Sequence, residues 1–329
     1  MPDPLVPSPV LPSRRALLRV LAVTATGTVL SGQTLGKTPD VLRIGYQKSA
    51  ANLVIVKQLG ALEKRFPRTH VSWIEFPAGP QLLEALSVGS LDFGLTGDSP
   101  PVFAQAAGKD LLYVGAEPPK PDSSAVLVPK DSPLRSLSDL KGKKIALQKG
   151  SSAHYLLVAA LEKARLQWSD IQAIYLTPAD ARAAFERNSV DAWAIWDPYY
   201  SATELQIQAR ALSTGRGLSS NNSFYLASRS FATEQAETVA ALFEELSRAD
   251  RFIQENRPQA IKLIADFSGL DAGVVNLFLQ RRPPSPVGPL SASTLIEQQK
   301  VADAFFKLGL IPKRVPVANI VWSAPQTKP

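Results

Sequence analysis

The sequence predicts an α/β fold of two similarly built lobes joined by two connecting segments. Three observations carry that expectation. Short apolar runs alternate with amphipathic stretches from residue 41 onward. After residue 125 the same alternation starts afresh. A late strand pattern, Phe224-Tyr225-Leu226-Ala227, then stands where the chain would return to the first lobe. Strands separated by helices pair in parallel through right-handed crossovers. A chain that builds one lobe, crosses and returns has two connectors. These make a hinge, and the cleft beside it is the expected ligand site. The divisions that follow are 38–125 with 225–329 for lobe I and 126–224 for lobe II.

The elements follow from period and punctuation. Val41 to Tyr46 is a strand and Leu53 to Phe66 an amphipathic helix. His70 to Phe76 is the next strand and Gln81 to Val88 the next helix. Leu91 to Thr96 is a third strand, followed by a Pro-started helix from Pro100 to Ala107 and a fourth strand from Leu111 to Ala116. In the second series Ala125 to Pro129 is a strand. A polar turn over 138–144 precedes the strand Ile145 to Gln148, and a helix fits Ala153 to Ala164. Ile171 to Leu176 is a strand, Ala179 to Asn188 a helix capped by Thr177 or the Pro178 turn, and Asp191 to Trp196 a strand. Helices are expected from Ala236 to Glu255, Pro258 to Phe267, Ala272 to Leu279 and Ala292 to Leu308. The Pro-rich stretch from Arg281 to Pro289 interrupts them, and Trp322 to Pro329 reads as a tail.

The amino terminus reads as an export signal over residues 1–37. Ser13-Arg14-Arg15-Ala16-Leu17-Leu18-Arg19 leads into the apolar run Val20 to Leu30 and then into small and polar residues up to Gly36. The paired arginines resemble a twin-arginine signal, with a general secretory signal as the alternative. Composition excludes several classes. The 329 residues are enough for two domains, and 45% hydrophobic with 20% charged residues is the balance of a soluble globular chain. The formal charge of +7 falls to roughly +4 without the signal, 32 basic against 28 acidic residues, and no basic run forms a nucleic-acid groove. With no cysteine the chain has no disulfide, thiolate metal site, cysteine nucleophile or lipid-anchoring cysteine. Two distant histidines do not make a metal site, and no cofactor is expected.

Four strand ends finish in polar turns: residues 76–81, 96–101, 148–154 and 193–200. The last, Trp193-Ala194-Ile195-Trp196-Asp197-Pro198-Tyr199-Tyr200, stops an aromatic strand at an Asp-Pro pair suited to a helix start. Turns of this kind converging on one cleft, each presenting backbone N–H groups at a helix start, make a site for a small oxyanion.

In order along residues 41–322, Gly45-Tyr46-Gln47-Lys48, the run 75–86, Thr96-Gly97-Asp98-Ser99-Pro100-Pro101, Glu117-Pro118-Pro119-Lys120-Pro121, Gln148-Lys149-Gly150-Ser151-Ser152, the run 176–185 and Trp193 through Tyr200 resemble the aliphatic sulfonate-binding proteins of bacterial ABC importers. These belong to the wider nitrate/taurine/sulfonate-binding group. The resemblance implies a type II periplasmic binding protein, two-lobed and two-hinged, that captures a sulfonate. It also implies partners: a membrane permease and its ATPase subunit. The chain departs from the pattern at Ala50-Ala51-Asn52 and at Ser99, which bears on substrate preference.

A sulfonate is a permanent anion with three acceptor oxygens and no donor, so its site needs inward-facing N–H and O–H groups. Ser151 and Ser152, after Gly150 at a helix start, are expected to contact it or to cap the helix. Gly79, Pro80 and Gln81 open another helix, with Gly79 allowing close backbone approach. Gln47 can donate through its amide. Thr96 O–H and Gly97 N–H can face the cleft, whereas Asp98, repelled by an anion, is expected to cap the Pro100 helix. Asp197 has cap and ligand roles open; in taurine-binding members of the group the corresponding aspartate would suit an ammonium. Trp196 and Tyr199 would wall an apolar tail, Trp193 would pack in the core, and His154 would donate to the ligand or, by preference, cap its helix or lie on the surface.

Three functional classes compete. The binding module leads, with nitrate, bicarbonate or taurine as alternative ligands. An enzyme would need the histidine and cysteine chemistry that fold relatives use and this chain lacks. A sensor would want a helix-turn-helix segment rather than an export signal. No Gly-rich phosphate loop is present, so ATP hydrolysis would belong to another chain. The expected state is a periplasmic monomer with no nucleic-acid partner.

Overall fold

The computed structural model describes residues 38–324. The export signal expected over residues 1–37 therefore lies outside the described residues, as does most of the expected tail. Among the described residues there are two five-stranded sheets. The first contains β1 (Val41–Tyr46), β2 (His70–Glu75), β3 (Phe93–Gly97), β4 (Leu111–Glu117) and β10 (Ser223–Ser228), in the order β2-β1-β3-β10-β4. The second contains β5 (Ser124–Val128), β6 (Lys144–Leu147), β7 (Gln172–Tyr175), β8 (Ala192–Trp196) and β9 (Arg210–Thr214), in the order β7-β6-β8-β5-β9.

The two sheets share one plan. In each, three strands pair in parallel: β1 with β2 and β3, and β6 with β7 and β8. The fourth position is then filled, antiparallel to both neighbours, by the strand that directly follows a connector between the sheets. That strand is β10 in the first sheet and β5 in the second. The expectation of parallel pairing thus holds for the three-strand units and fails at β5 and β10. These enter directly from the connectors and run opposite to the strands on either side.

The chain crosses between sheets twice, at residues 118–123 and 215–222, and the two connectors are hydrogen-bonded to each other. Lys120 N donates to Ser220 O at 3.0 Å, Asn221 Nδ2 to Lys120 O at 3.1 Å and Gly215 N to Pro121 O at 3.0 Å. They form one narrow two-stranded strap between the lobes.

Most helices lie close to where the sequence places them, and the exceptions have local causes. The helix expected over Leu53 to Phe66 is two: α1 (Ala51–Gln58) and α2 (Ala61–Arg65). Gly60 adopts φ +58°, a left-handed conformation that ends one helix and starts the next. α3 (Gly79–Ser87), α4 (Ser99–Ala106), α5 (Ser152–Lys163) and α6 (Pro178–Glu186) follow, and Thr177 caps α6 by accepting from Asp180 N at 3.3 Å. α7 (Tyr199–Ile207) begins just after the Asp-Pro pair, with Pro198 before the first helical residue rather than at it. β9 and the short α8 (Arg229–Glu234) were not expected, because neither carries a long periodic pattern. The carboxy-terminal helices are α9 (Ala236–Glu255), α10 (Arg257–Ser268), α11 (Ala272–Arg281) and α12 (Ala292–Lys307).

One large apolar core joins the first sheet to α1, α3, α4 and the carboxy-terminal helices. The second sheet has a core on each face. Trp193 is fully buried in one of them beside Phe185, in keeping with the packing role expected of it. The Pro-rich stretch runs along the edge of the first sheet, where Gly288 and Ala116 exchange backbone hydrogen bonds and protect the edge strand β4.

The strap yields a first prediction. A Cβ at Gly215 would stand 2.6 Å from the Pro121 carbonyl oxygen, a backbone atom with no freedom to yield. Gly215→Ala should therefore destabilise the fold by about 1–3 kcal/mol, read from urea unfolding midpoints.

Candidate functional site

The strand ends and helix starts of both sheets meet in a pocket beside the strap. Its free interior is about 40 Å³, room for a few water molecules or a small anionic head group. Its walls draw on Gln47 and Gly79 after β1 and β2, Gly97 at the end of β3, Ser151 and Ser152 at the start of α5, and Trp196 and Asp197 at the end of β8. Seven residues anticipated from sequence are thus brought together. Pro80, Gln81, Thr96, Asp98, His154 and Tyr199 are not among the lining residues.

Donors come from two helix starts. α3 begins at Gly79 and α5 at Ser152, and first-turn N–H groups have no partner within their own helix. Gly79 admits no side chain, since a Cβ there would lie 2.6 Å from Pro100 and 3.1 Å from Thr96. α4 contributes less than its motif promised, because Pro100 and Pro101 fill its first turn and carry no N–H. Ser151 does not cap α5 with its side chain; its hydroxyl donates to Gln148 O at 2.8 Å. Gln47 spends one amide proton on Leu95 O at 2.9 Å, which fixes its side chain against the pocket.

The remaining anticipated residues support the site from behind. Thr96 is buried and its hydroxyl donates to Gly97 O at 3.1 Å. Asp98 stands at the start of α4 without a side-chain capping bond to it. Its carboxylate instead accepts from Ser99 Oγ at 2.9 Å and Ser219 Oγ at 3.5 Å, while Gln298 Nε2 of α12 binds its carbonyl at 2.6 Å. Burial pushes Asp98 up to about 6, against the pull of hydroxyls from Ser99, Ser152 and Ser219. Tyr199 stands edge-on to Trp196, 6.3 Å between ring centres, and so braces the wall rather than forming it.

His154 is fully buried, and its Nδ1 accepts from Gly150 N at 3.2 Å. It therefore orders the turn before α5 instead of facing the pocket. Rings of Phe103 and Phe305 from the first sheet's helices and of Trp168 and Tyr175 from the second half surround it. Burial, with a contribution from Lys149, lowers the imidazole to about 4, so it is neutral at physiological pH.

Sequence reasoning missed Ser49, Leu95, Pro100, Lys120, Ser123, Asn221, Ser223 and Phe278 among the lining residues. Lys120 matters most. It is a buried cation on the first connector, with Nζ 2.8 Å from Glu117 Oε2. Glu117 Oε1 accepts from Tyr225 OH at 2.9 Å and Asn52 Nδ2 at 3.3 Å and lies 3.6 Å from Arg282. Arg282 in turn pairs with Asp250 at 3.0 Å. Burial opposes the charge on Glu117, but Lys120 and Arg282 outweigh it and hold the carboxyl below its ordinary value. Burial likewise lowers Lys120, in spite of Glu117. The only available signal was the quoted run Glu117-Pro118-Pro119-Lys120-Pro121, in which a charged residue sits between prolines in a connector.

Asp197 serves α7 after all. Its Oδ1 accepts from Ser201 N at 2.9 Å and Ser201 Oγ at 2.6 Å and stands 3.5 Å from Arg281. Arg281, at the end of α11, also pairs with Glu204 and lies over the Tyr200 ring at 3.6 Å.

Two predictions follow from this geometry. A Cβ at Gly97 would fall 1.8 Å from Ser152 Oγ and 3.1 Å from its Cβ, so a side chain here would displace the Ser152 hydroxyl at the pocket. Gly97→Ala should weaken ligand binding about tenfold or more, an energy of at least ~1.4 kcal/mol, while Ser152→Ala in the same chain restores part of it by calorimetry. The second concerns acid. A histidine depressed to about 4 contributes stability that is complete above its unfolded value of 6.5 and is lost as pH falls toward 4. Asp98 and Asp197, both raised to about 6, act oppositely between pH 6 and 3.8. The difference between wild type and His154→Asn isolates the first effect: denaturation at pH 7, 6, 5 and 4 should show the variant losing less stability on acidification.

Residues 73–260 match the profile of NMT1/THI5-like proteins. The aliphatic sulfonates-binding protein of Escherichia coli (strain K12) is 50% identical over 289 residues, covering 88% of this chain and 91% of that relative. Among solved structures, the alkanesulfonate-binding protein SsuA from Xanthomonas axonopodis pv. citri bound to MOPS superposes with a TM-score of 0.85 at 53% identity, over 87% of this chain and 99% of that one. The periplasmic aliphatic sulphonate binding protein SsuA from Escherichia coli gives 0.82 at 50% identity, over 89% and 95%. The shared sheet plan is that of the two-lobed type II binding proteins. With its profile, its relatives and its paired sheets in agreement, the chain belongs to the NMT1/THI5-like family, in the group of the aliphatic sulfonate-binding proteins.

Proposed function

We propose that this chain is the extracytoplasmic solute-binding protein of an ABC importer, which captures an aliphatic sulfonate between its lobes and delivers it to a membrane permease. The observation that carries the proposal is the pocket itself. Two helix starts, a cluster of serine side chains and one internally balanced lysine converge on a space of about 40 Å³. That inventory is rich in donors and poor in net charge. It suits an anion that must be held without being trapped, because helix-start N–H groups solvate charge without a full counter-ion. Trp196 and Phe278 in the lining offer apolar surface for an alkyl or aryl tail. The site residues proposed to contact the head group are Gln47, Gly79, Gly97, Ser151 and Ser152, with Lys120 added from the geometry.

The finer parts of the proposal are an exported, periplasmic monomer, directed by the signal at residues 1–37 through either the twin-arginine or the general route, and an ATPase subunit in a separate chain. Capture, not conversion, is the role. Lobe closure would proceed about the strap at residues 118–123 and 215–222, with no chemical step required.

A thermal-shift series tests the substrate. Alkanesulfonates of rising length, taurine, sulfate, nitrate and bicarbonate are compared, in buffers free of sulfonates. A ligand at a hundred times its Kd adds about 2.7 kcal/mol of stability. Stabilisation by alkanesulfonates, reduced by Trp196→Ala most for the longest tails, is the expected result. Stabilisation by nitrate or bicarbonate alone would keep the fold and overturn the substrate.

A further inference from the structure

Asp197 is the residue of the pocket that least suits an anion. It lines the pocket, is 2% exposed, and has its two oxygens in different situations. Oδ1 is fully employed by Ser201 and Arg281, whereas Oδ2 is buried with no hydrogen-bond partner. A bare carboxylate oxygen beside sulfonate oxygens sets acceptor against acceptor, and a buried acceptor without a donor is costly by itself.

We propose that Asp197 takes up one proton from solvent when a sulfonate occupies the pocket, so that Oδ2–H becomes a donor to the ligand and capture of the anion is proton-coupled. This rests on the sulfonate reading above. The proton has to go to the protein, because a sulfonate stays ionised throughout the biological pH range. The bookkeeping is simple: one anion and one proton enter, no covalent bond other than O–H forms, and the charge of the site is unchanged.

The surrounding groups favour this assignment. From α7, which follows it, Asp197 is accompanied by Glu204, Tyr199 and Tyr200, and from α11 by Arg281, whose charge Glu204 shares. Asp122 of the first connector acts on Tyr200 and is itself paired with Arg216. Glu75 acts on Tyr199. Elsewhere in the lining, Lys120 is matched by Glu117. The cation paired with Asp197, Arg281, is thus shared with Glu204 before a second anion arrives. Burial already pushes the carboxyl up to about 6, against the effect of Ser201 and Arg281, and a neighbouring sulfonate moves it in the same direction. Asp98 is the competing acceptor of the proton. It does not line the pocket, and three serine hydroxyls already donate to it.

The sign is fixed by linkage. A group whose value rises on binding takes up a proton between its free and bound values, so affinity is greatest below about pH 6 and declines above it, by up to about tenfold per pH unit. The experiment is a calorimetric titration of the full chain with hexanesulfonate at pH 5.5, 6.5, 7.0 and 8.0, in buffers of differing ionisation enthalpy and without sulfonate groups, such as bis-Tris, imidazole and Tris. Dependence of the observed enthalpy on buffer gives the number of protons exchanged. The expected result is net uptake in the wild type near neutral pH, retained by Asp98→Asn and abolished in Asp197→Asn, whose affinity becomes independent of pH. Should the Asn variant fail to fold, the wild-type proton count decides by itself: hexanesulfonate binding with no proton exchange at any of these pH values overturns the proposal and leaves the sulfonate reading standing. Uptake that survives in Asp197→Asn and disappears in Asp98→Asn also overturns it. No binding of hexanesulfonate or any other alkanesulfonate removes the reading on which it rests.

Discussion

The buried ion network at Glu117 is the interaction on which the rest of the molecule depends. Glu117 ends β4, Tyr225 lies in β10, Asn52 in α1, Lys120 in the first connector, and Arg282 with Asp250 belongs to the carboxy-terminal helices and the Pro-rich stretch. Two cations and two carboxylates thus share one buried cluster at the root of the strap. Such a network contributes modestly when complete, yet losing one member leaves an uncompensated charge, which is strongly destabilising. Its value is therefore geometric. It fixes where the connectors leave the first sheet.

From that root the logic of the pocket follows. Lys120 reaches the lining with its charge already answered by Glu117, so the site gains donors without gaining a net positive field. The rest of the polarity is supplied by backbone at helix starts, where sequence needs only glycine, proline and serine to position it. A site made in this manner binds through many weak, oriented dipoles.

Much of the fold was legible because it rests on local patterns. Alternating strand and helix periods located both series, and Phe224 to Ala227 signalled the return to the first sheet. What remained illegible depends on distant pairings. The antiparallel entry of β5 and β10 follows from which strand each meets, and no local period encodes that. The break at Gly60 depends on a left-handed backbone angle that Leu53 to Phe66 does not advertise. The site divides similarly. Gln47, Gly79, Gly97, Ser151, Ser152, Trp196 and Asp197 stood in turns that announce themselves, and all line the pocket. Lys120, Asn221, Ser223 and Phe278 come from connectors, the start of β10 and a helix far along the chain, where only the folded path brings them near. His154 was misplaced for the opposite reason: its turn is at the site, yet its ring rotates into an aromatic cage shared by the two halves.

The return of β10 to the first sheet also orders assembly in time. A chain emerging from its amino end has β1 to β4 early, but their sheet lacks its fourth-position strand until residue 228 has appeared. The second sheet needs nothing beyond residue 214 and can close while the first still has a gap between β3 and β4. The lobe begun first is completed last, and neither half of the polypeptide, cut at the midpoint, holds a full sheet. The late strand β10 thus ties the first series of strands to a segment made only after the whole second sheet.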